Sequence, residues 1–131
     1  MARVLVVEDD EQVRIVLREI LEPEGHEVLE APNGEVGTTL YRRDPVDLVT
    51  TNIVMPEKDG LELIRELRAD FPGVKIIAIS GCDPDDGKGY LSLAETYGAR
   101  CTVPKPFSPD TIRTAVEELL KDDGEPAHTG A

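Results

Sequence analysis

The sequence predicts an α/β domain, a doubly wound fold in which helices cover both faces of a five-stranded parallel sheet. Two observations lead to this prediction. Five short runs rich in β-branched and apolar residues recur along the chain, and a segment with helical spacing of apolar residues follows each run. Strands alternating with helices through short connections are typical of parallel sheets, and 131 residues is the size of one domain.

The five predicted strands lie at residues 3–7, 28–30, 48–51, 74–80 and 101–103. Each run is largely apolar, as expected for strands that are buried on both faces of a sheet. The helices between them are predicted from apolar residues spaced three or four apart. These residues, helix by helix, are Val13, Val16, Leu17, Ile20 and Leu21; Val36 and Leu40; Leu61, Ile64 and Leu67; Leu91 and Ala94; and Ile112, Ala115, Val116 and Leu119.

The ends of the helices carry their own chemical signals. Asp10 and Asn33 are predicted to cap the first two helices, and Ser108 followed by proline predicts the start of the last helix. Proline and glycine at 23–25 and at 72–73 predict the ends of the first and third helices. The polar loop 81–89 is predicted to be a mobile segment at the rim of the sheet.

Composition narrows the class of function. A formal net charge of −13 argues against nucleic-acid binding, which depends on clustered lysine and arginine. With 31% charged residues and no long apolar run, neither a membrane span nor a targeting segment is expected. Two cysteines without metal-ligand spacing suggest reduced thiols in a cytoplasmic protein. The domain is expected to end near residue 121, and residues 122–131 are expected to be a disordered acidic and polar tail.

Polar residues end four of the predicted strands. Glu8 and Asp9 follow the first strand, and Asn52, Ser80 and Lys105 follow or end the third, fourth and fifth. The carboxyl ends of parallel strands share one edge, which is where such sheets bind ligands. A hard divalent cation would relieve the repulsion between adjacent acids, although helix capping also explains an acidic turn.

Four motifs identify a known family at this point. The segments VLVVEDDEQVR, DLVTTNIVMPEKDG, IIAISG and PKPF resemble those of response-regulator receiver domains, the phosphate-accepting modules of two-component signalling. The resemblance extends from residue 3 to residue 120 and includes chemotaxis receivers. It implies a flavodoxin-like (βα)5 fold with strand order 2-1-3-4-5.

The resemblance also implies a magnesium site with phosphoryl-transfer residues around it. Asp9 corresponds to the direct magnesium ligand, Glu8 to an acid acting largely through water, and the carbonyl oxygen of Val54 to a further ligand. Ser80 matches the hydroxyl that turns toward the phosphoryl group, and Lys105 matches the lysine that pairs with its oxygens. In receivers the peptide bond that follows this lysine is usually cis.

Position 52 departs from the family pattern. Asn52 stands where receivers carry the phosphate-accepting aspartate, which is also a metal ligand, so magnesium is expected to bind weakly. A neutral amide is a poor nucleophile, and the chain as written is expected not to accept phosphate. Asp47 precedes the strand and should lie at its opposite end. Thr102 is a second departure, at a position usually held by an aromatic switch residue.

These observations favour a receiver without an effector domain, acting by contact with other proteins rather than as an enzyme. The implied partners are a histidine kinase or a histidine phosphotransfer protein, together with an unknown target on the face formed by the fourth helix, fifth strand and fifth helix. Asn52 is either a deliberate substitution or a natural loss of the acceptor, and the sequence favours neither.

Two other classes of function stay open beside this one. A phosphorylation-independent interaction domain of receiver fold is the main alternative. A nucleotide-binding or flavodoxin-like enzyme is disfavoured, because the first strand is followed by the acidic turn EDDEQ instead of a glycine-rich phosphate cradle. Cys82 lies two residues after Ser80 and is either a tuning residue near the site or a plain thiol.

Overall fold

The computed structural model describes residues 2–55, 58–81 and 88–121, with residues 88–91 described by their backbone alone. Five strands alternate with five helices. The strands are β1 (Arg3–Val7), β2 (Glu27–Ala31), β3 (Leu48–Asn52), β4 (Ile76–Ser80) and β5 (Cys101–Pro104). The helices are α1 (Glu11–Leu21), α2 (Gly34–Arg43), α3 (Gly60–Asp70), α4 (Lys88–Tyr97) and α5 (Pro109–Lys121).

The strands form one parallel sheet in the order β2-β1-β3-β4-β5, as the family resemblance implied. Since β1 lies between β2 and β3, the chain reverses its direction of winding beside β1 and β3. This reversal opens a crevice at their carboxyl ends, which is where doubly wound sheets bind ligands. Asn52 is the last residue of β3 and pairs with Ile79 of β4. Asn52 therefore lies at the carboxyl edge of the sheet, beside this crevice.

Two apolar layers hold the helices against the sheet. One layer includes Leu5 and Val49 of the central strands together with residues of α3, and the other includes Val4 and Leu48 with residues of α1 and α5. Neighbouring strand residues alternate between the layers because side chains in a strand point to opposite faces. The fully buried β3 and β4 confirm the two-sided covering that was predicted.

Side-chain caps begin four of the helices. Asp10 accepts from the backbone N–H of Gln12, and Asn33 accepts from Val36, confirming both predicted caps. Ser108 Oγ accepts from Thr111, as predicted for α5, and Asp59 caps α3 by accepting from Glu62. These caps satisfy N–H groups that have no partner within their own helix.

Some predicted boundaries and faces were wrong. β4 begins at Ile76, because Val74 instead closes a turn with its N–H donated to Phe71. The predicted loop 81–89 is too long, since α4 already begins at Lys88. Val16 and Val36, assigned to inward helix faces, are 43% and 36% exposed.

Three expectations fall wholly or partly on residues outside the described ranges. They are the disordered tail at 122–131, the mobile loop beyond Gly81, and the role of Cys82. Over the residues that the structure describes, no helix is both long enough and apolar enough to cross a bilayer.

Candidate functional site

The carboxyl edge of the sheet collects the polar residues that the sequence places at strand ends. Glu8 and Asp9 lie directly after β1, Asn52 and Ser80 end β3 and β4, and Lys105 directly follows β5. Hydrogen bonds join Asn52 to Glu8 and Asp9, and Lys105 to Glu8. Side chains separated by as many as 97 positions in the chain thus form one connected cluster.

The side-chain amide of Asn52 lies at the centre of this cluster. Its nitrogen Nδ2 donates to the backbone oxygen of Val54 at 2.9 Å, to Asp9 Oδ1 at 3.2 Å and to Glu8 Oε2 at 3.4 Å. Only 6% of the Asn52 surface is exposed, so these bonds form largely away from solvent. The amide nitrogen therefore faces the oxygens that the family resemblance assigns to magnesium.

Glu8 is a buried carboxylate that accepts hydrogen bonds from Asp10, Asn52 and Lys105. It is 1% exposed; Oε2 also accepts from the N–H of Asp10 at 3.1 Å, and Oε1 lies 3.3 Å from Lys105 Nζ. Burial raises the pKa of Glu8 above its ordinary value, outweighing the lowering by the Asp10 N–H and by the charge of Lys105. Removal from water is thus the dominant effect on this side chain.

Lys105 is fixed by its backbone as well as by its charge. Its N–H donates to the carbonyl oxygen of Ser80 at 2.9 Å, which extends the pairing of β4 with β5 by one residue. The peptide bond from Lys105 to Pro106 is cis, as expected from the family. A Cβ atom on Gly81 would lie 2.5 Å from Lys105 Cβ, so only glycine fits beside the lysine there.

Ser80 lies at the same edge but is not bonded into the cluster. The residue is 1% exposed, and its hydroxyl has no hydrogen-bond partner within the part of the chain that the structure describes. A buried hydroxyl without a partner is costly, and a catalytic role or a bound ion is among the explanations for one. Its predicted role toward a phosphoryl group stays a prediction.

The start of α3 is held tightly against the end of β3. The N–H of Gly60 donates to the carbonyl oxygen of Ile53 at 2.8 Å, and a Cβ at position 60 would lie 2.2 Å from the backbone oxygen of Asn52. Glycine is therefore required at position 60 by close packing. This contact helps fix the backbone that presents Asn52 and Val54.

Arg14 is a supporting residue that the sequence analysis missed. From α1 it donates through one guanidinium nitrogen to the backbone oxygen of Glu8 at 2.8 Å and through Nε to Glu30 of β2 at 2.9 Å. The turn that carries Glu8 and Asp9 is thus tied to the edge strand. Because one partner is a backbone oxygen, no charge pattern in the sequence could have indicated it.

The nearest carboxylate before the strand does not reach the site. Asp47 accepts from the backbone N–H of Arg3 at 2.8 Å, at the amino end of the sheet. Thr102 is half-buried in β5 and pairs with Ala78 of β4. The acceptor and switch positions of the family thus lie where they are expected in the fold. They hold Asn52 and Thr102 instead of the aspartate and the aromatic residue that receivers usually have there.

Magnesium is the cation that the family resemblance implies, and the donor set suits it. Carboxylate oxygens of Glu8 and Asp9 and the carbonyl oxygen of Val54 converge on one point, and hard oxygen ligands are those that magnesium prefers. Within the described ranges, histidine, cysteine and acidic residues form no group of three that could hold a metal. A cation here would thus depend on oxygens besides the two carboxylates.

Comparison with known proteins agrees with the fold and the motifs. Sensor kinase CckA of Brucella abortus is 37% identical over 122 residues, which are 92% of this chain and 13% of that protein. Chemotaxis protein CheY of Thermotoga maritima is 33% identical over 91% of this chain and 98% of its own length. The response regulator TrrA of Thermotoga maritima, solved with Mg²⁺ and BeF, matches with a TM-score of 0.80 at 33% identity, covering 91% of this chain and 99% of that one.

A family model described as the response regulator receiver domain matches residues 4–117. The family model covers most of the chain, and the match to CheY of Thermotoga maritima covers nearly the whole of both proteins. This protein therefore belongs to the response regulator receiver domains of two-component signalling.

Proposed function

We propose that this receiver signals by contact with other proteins and is not phosphorylated at the position where receivers accept phosphate. One observation carries the proposal: Asn52 occupies the acceptor position at the end of β3, with its amide nitrogen bonded to Asp9 and Val54. Receivers are signalling modules, and we assign no enzymatic activity to this one.

The chemistry of the amide explains why transfer to Asn52 should fail. Receivers take a phosphoryl group from a phosphohistidine onto a carboxylate, whose charged oxygen attacks phosphorus. An amide oxygen carries no full charge, and the nitrogen lone pair is delocalised into the carbonyl group. The hydrogens of Asn52 Nδ2 are moreover directed at acceptor oxygens of Asp9 and Val54.

Magnesium would be held by the oxygens that now surround this amide. Asp9 and the Val54 carbonyl would bind it directly, with Glu8 and Asn52 beside them, and the ion would supply positive charge that neutralises phosphoryl oxygens. Because Asn52 contributes no negative charge, we propose that magnesium binds more weakly than it would with aspartate at this position.

The partners that fit this role are proteins. A histidine kinase or phosphotransfer protein would approach the edge that carries Asn52 and Lys105, and a target would bind the face of α4, β5 and α5. With a net charge of −13, nucleic acid is an unfavourable partner. A cytoplasmic location suits a receiver with such partners.

Phosphorylation with a small donor tests the proposal. Incubated with acetyl phosphate and magnesium, the chain should gain no mass, whereas Asn52→Asp should gain an acyl phosphate that is lost on mild alkaline treatment. Asn52→Ala is the matched control for a change at position 52 without a carboxylate. A phosphate on the unmutated chain, mapped to Thr50, Thr51 or Ser80, would contradict the proposal and identify another acceptor.

The double variant Asn52→Asp with Lys105→Ala examines the site around the acceptor. If Lys105 pairs with the phosphoryl oxygens, its removal should impair the response of the Asn52→Asp form to phosphorylation, measured as the change in backbone NMR shifts. If phosphorylation changed the NMR shifts of the double variant as much as those of Asn52→Asp, the role assigned to Lys105 would be wrong. The assignment of position 52 as the acceptor position would still stand.

A magnesium titration tests the proposed weakening. Calorimetry on the unmutated chain and on Asn52→Asp should give a higher dissociation constant for the unmutated chain, by about tenfold or more, because one ligand charge is missing. Equal dissociation constants would exclude position 52 as a metal ligand.

A further inference from the structure

Three oxygen atoms, two from the turn after β1 and one from the turn after β3, surround a single nitrogen. Glu8 Oε2, Asp9 Oδ1 and the Val54 carbonyl oxygen lie 3.4, 3.2 and 2.9 Å from Asn52 Nδ2. All three atoms only accept hydrogen bonds when the carboxylates are ionised, so the amide must present its NH₂ group and not its oxygen. The hydrogen-bonding pattern thus determines which way the amide faces.

We propose that the Asn52 amide replaces the divalent cation structurally, holding these three oxygens together so that the site is arranged without metal. The proposal rests on the proposed function, in which Asn52 is a permanent occupant of the acceptor position. It goes beyond weak binding, because it makes the amide and the cation competitors for the same oxygens.

The charges around the amide support this replacement. Lys105 Nζ lies 3.3 Å from Glu8 and balances that carboxylate, and Asp9 is exposed to water. With asparagine at position 52, the cluster has two negative charges, on Glu8 and Asp9, and one positive charge, on Lys105. One negative charge, that of Asp9, is therefore left unbalanced within the cluster. Aspartate at position 52 would add a second such charge beside Asp9, and a divalent cation would then be needed to hold the oxygens together.

Geometry makes the two states exclusive. A cation close enough to bind Asp9 and the Val54 carbonyl would occupy the space of Nδ2, which lies 2.9 Å from that carbonyl. Entry of a cation therefore requires the amide to break these hydrogen bonds and turn its oxygen inward. Since Asn52 is 6% exposed, water cannot easily replace the bonds that are lost.

Thermal unfolding with and without metal measures this directly. Between EDTA and a magnesium concentration that saturates Asn52→Asp, Tm of the unmutated chain should rise by less than about 2 °C, because its Kd is expected to be about tenfold higher or more. Tm of Asn52→Asp should rise by about 3–6 °C when magnesium is roughly tenfold above its Kd. Asn52→Ala removes the amide without adding charge, and its Tm should be lower in EDTA and should rise with magnesium.

An equal magnesium-dependent rise for the unmutated chain and Asn52→Asp would overturn the proposal. So would an Asn52→Ala variant as stable in EDTA as the unmutated chain, since the amide would then hold nothing together.

NMR gives a readout that does not depend on stability. The side-chain NH₂ signals of Asn52, identified by their loss in Asn52→Asp, should exchange slowly with water in EDTA. They should stay largely unshifted at the magnesium concentration that half-saturates Asn52→Asp. Exchange as fast as that of a free asparagine side chain would overturn the proposal. Phosphorylation of the unmutated chain would instead contradict the proposed function, so the two failures are distinguishable.

Discussion

Glu8 and Glu66 are each paired with a lysine, yet their pKa values move in opposite directions. Glu8 pairs with Lys105 at the carboxyl edge of the sheet, and Glu66 pairs with Lys58 beside α3. Burial raises the pKa of Glu8, whereas the hydrogen bonds from Lys58 and then Arg42 lower the pKa of Glu66. The same pair of residue types therefore has two electrostatic outcomes in one molecule.

The difference arises from solvent and from the number of partners. The Glu8 side chain is 2% exposed and has one cation, at 3.3 Å, whereas the Glu66 side chain is 35% exposed and has two. For Glu8, one partly exposed cation does not offset the loss of hydration. For Glu66, water and two cations together favour the charged form. A carboxylate held under such conditions at a ligand-binding edge is typical of a functional region.

Removing each lysine should have unequal effects on stability. Lys105→Met leaves Glu8 buried without its cation, so the free energy of unfolding should fall by about 1–3 kcal/mol, less than for a fully buried pair because Lys105 is partly exposed. Lys58→Met leaves Glu66 with Arg42 at 2.8 Å and with water, and the loss should stay below about 1 kcal/mol. Urea unfolding at neutral pH measures both, and equal losses would show that burial does not control the difference.

Two neighbouring threonines allow the cost of burying a polar group to be measured without any charged group. Thr50 and Thr51 are both buried in β3, but Thr51 Oγ1 donates to the backbone oxygen of Asn52 at 2.9 Å, whereas Thr50 Oγ1 has no partner in the described part of the chain. Thr50→Val should therefore raise the free energy of unfolding by about 1 kcal/mol, because a buried unpaired hydroxyl is removed.

Thr51→Val is the matched control on the same strand. It removes a hydrogen bond that is made, so the free energy of unfolding should fall by about 1 kcal/mol. The midpoints of urea unfolding at unchanged m-value report both changes. If both variants were destabilised alike, Thr50 Oγ1 would have to have a hydrogen-bond partner. The predicted gain in stability from removing an unpaired buried hydroxyl would then be wrong.

The elements of the sheet could be predicted because their signals are local. Runs of apolar residues located all five strands, and Asp10, Asn33 and Ser108 marked helix starts through caps that involve only near neighbours. The inward face of α2 could not be predicted in this way. It packs through Gly37, whose added Cβ would lie 2.8 Å from a methyl group of Val7, and close approach of small residues leaves no apolar periodicity.

The candidate site could be predicted in its members but not in its contacts. The strand-end positions of Glu8, Asp9 and Lys105 follow from the topology, because parallel strands end at one edge. Which atom of Asn52 faces the acids depends on three oxygens brought together only by folding. The sequence therefore indicated a missing nucleophile, whereas the amide hydrogen bonds that fill its place required the structure.

The smallest expected effect is the pH dependence of the exposed pair. The pKa of Glu66 lies below its ordinary value of 4.5, so its ionised form stabilises the fold. That contribution is present above pH of about 4.5 and is lost as the pH falls through the lowered pKa. Glu66→Gln should thus be less stable than the unmutated chain at neutral pH. The difference should be less than about 1 kcal/mol because the side chain is a third exposed, and it should disappear in acid.

Urea unfolding of both proteins above and below the ordinary pKa of Glu66 measures this difference. Added salt at neutral pH should reduce it by screening. A difference that grows on acidification would mean that Glu66, like Glu8, is dominated by burial, and the contrast between the two glutamates would not hold.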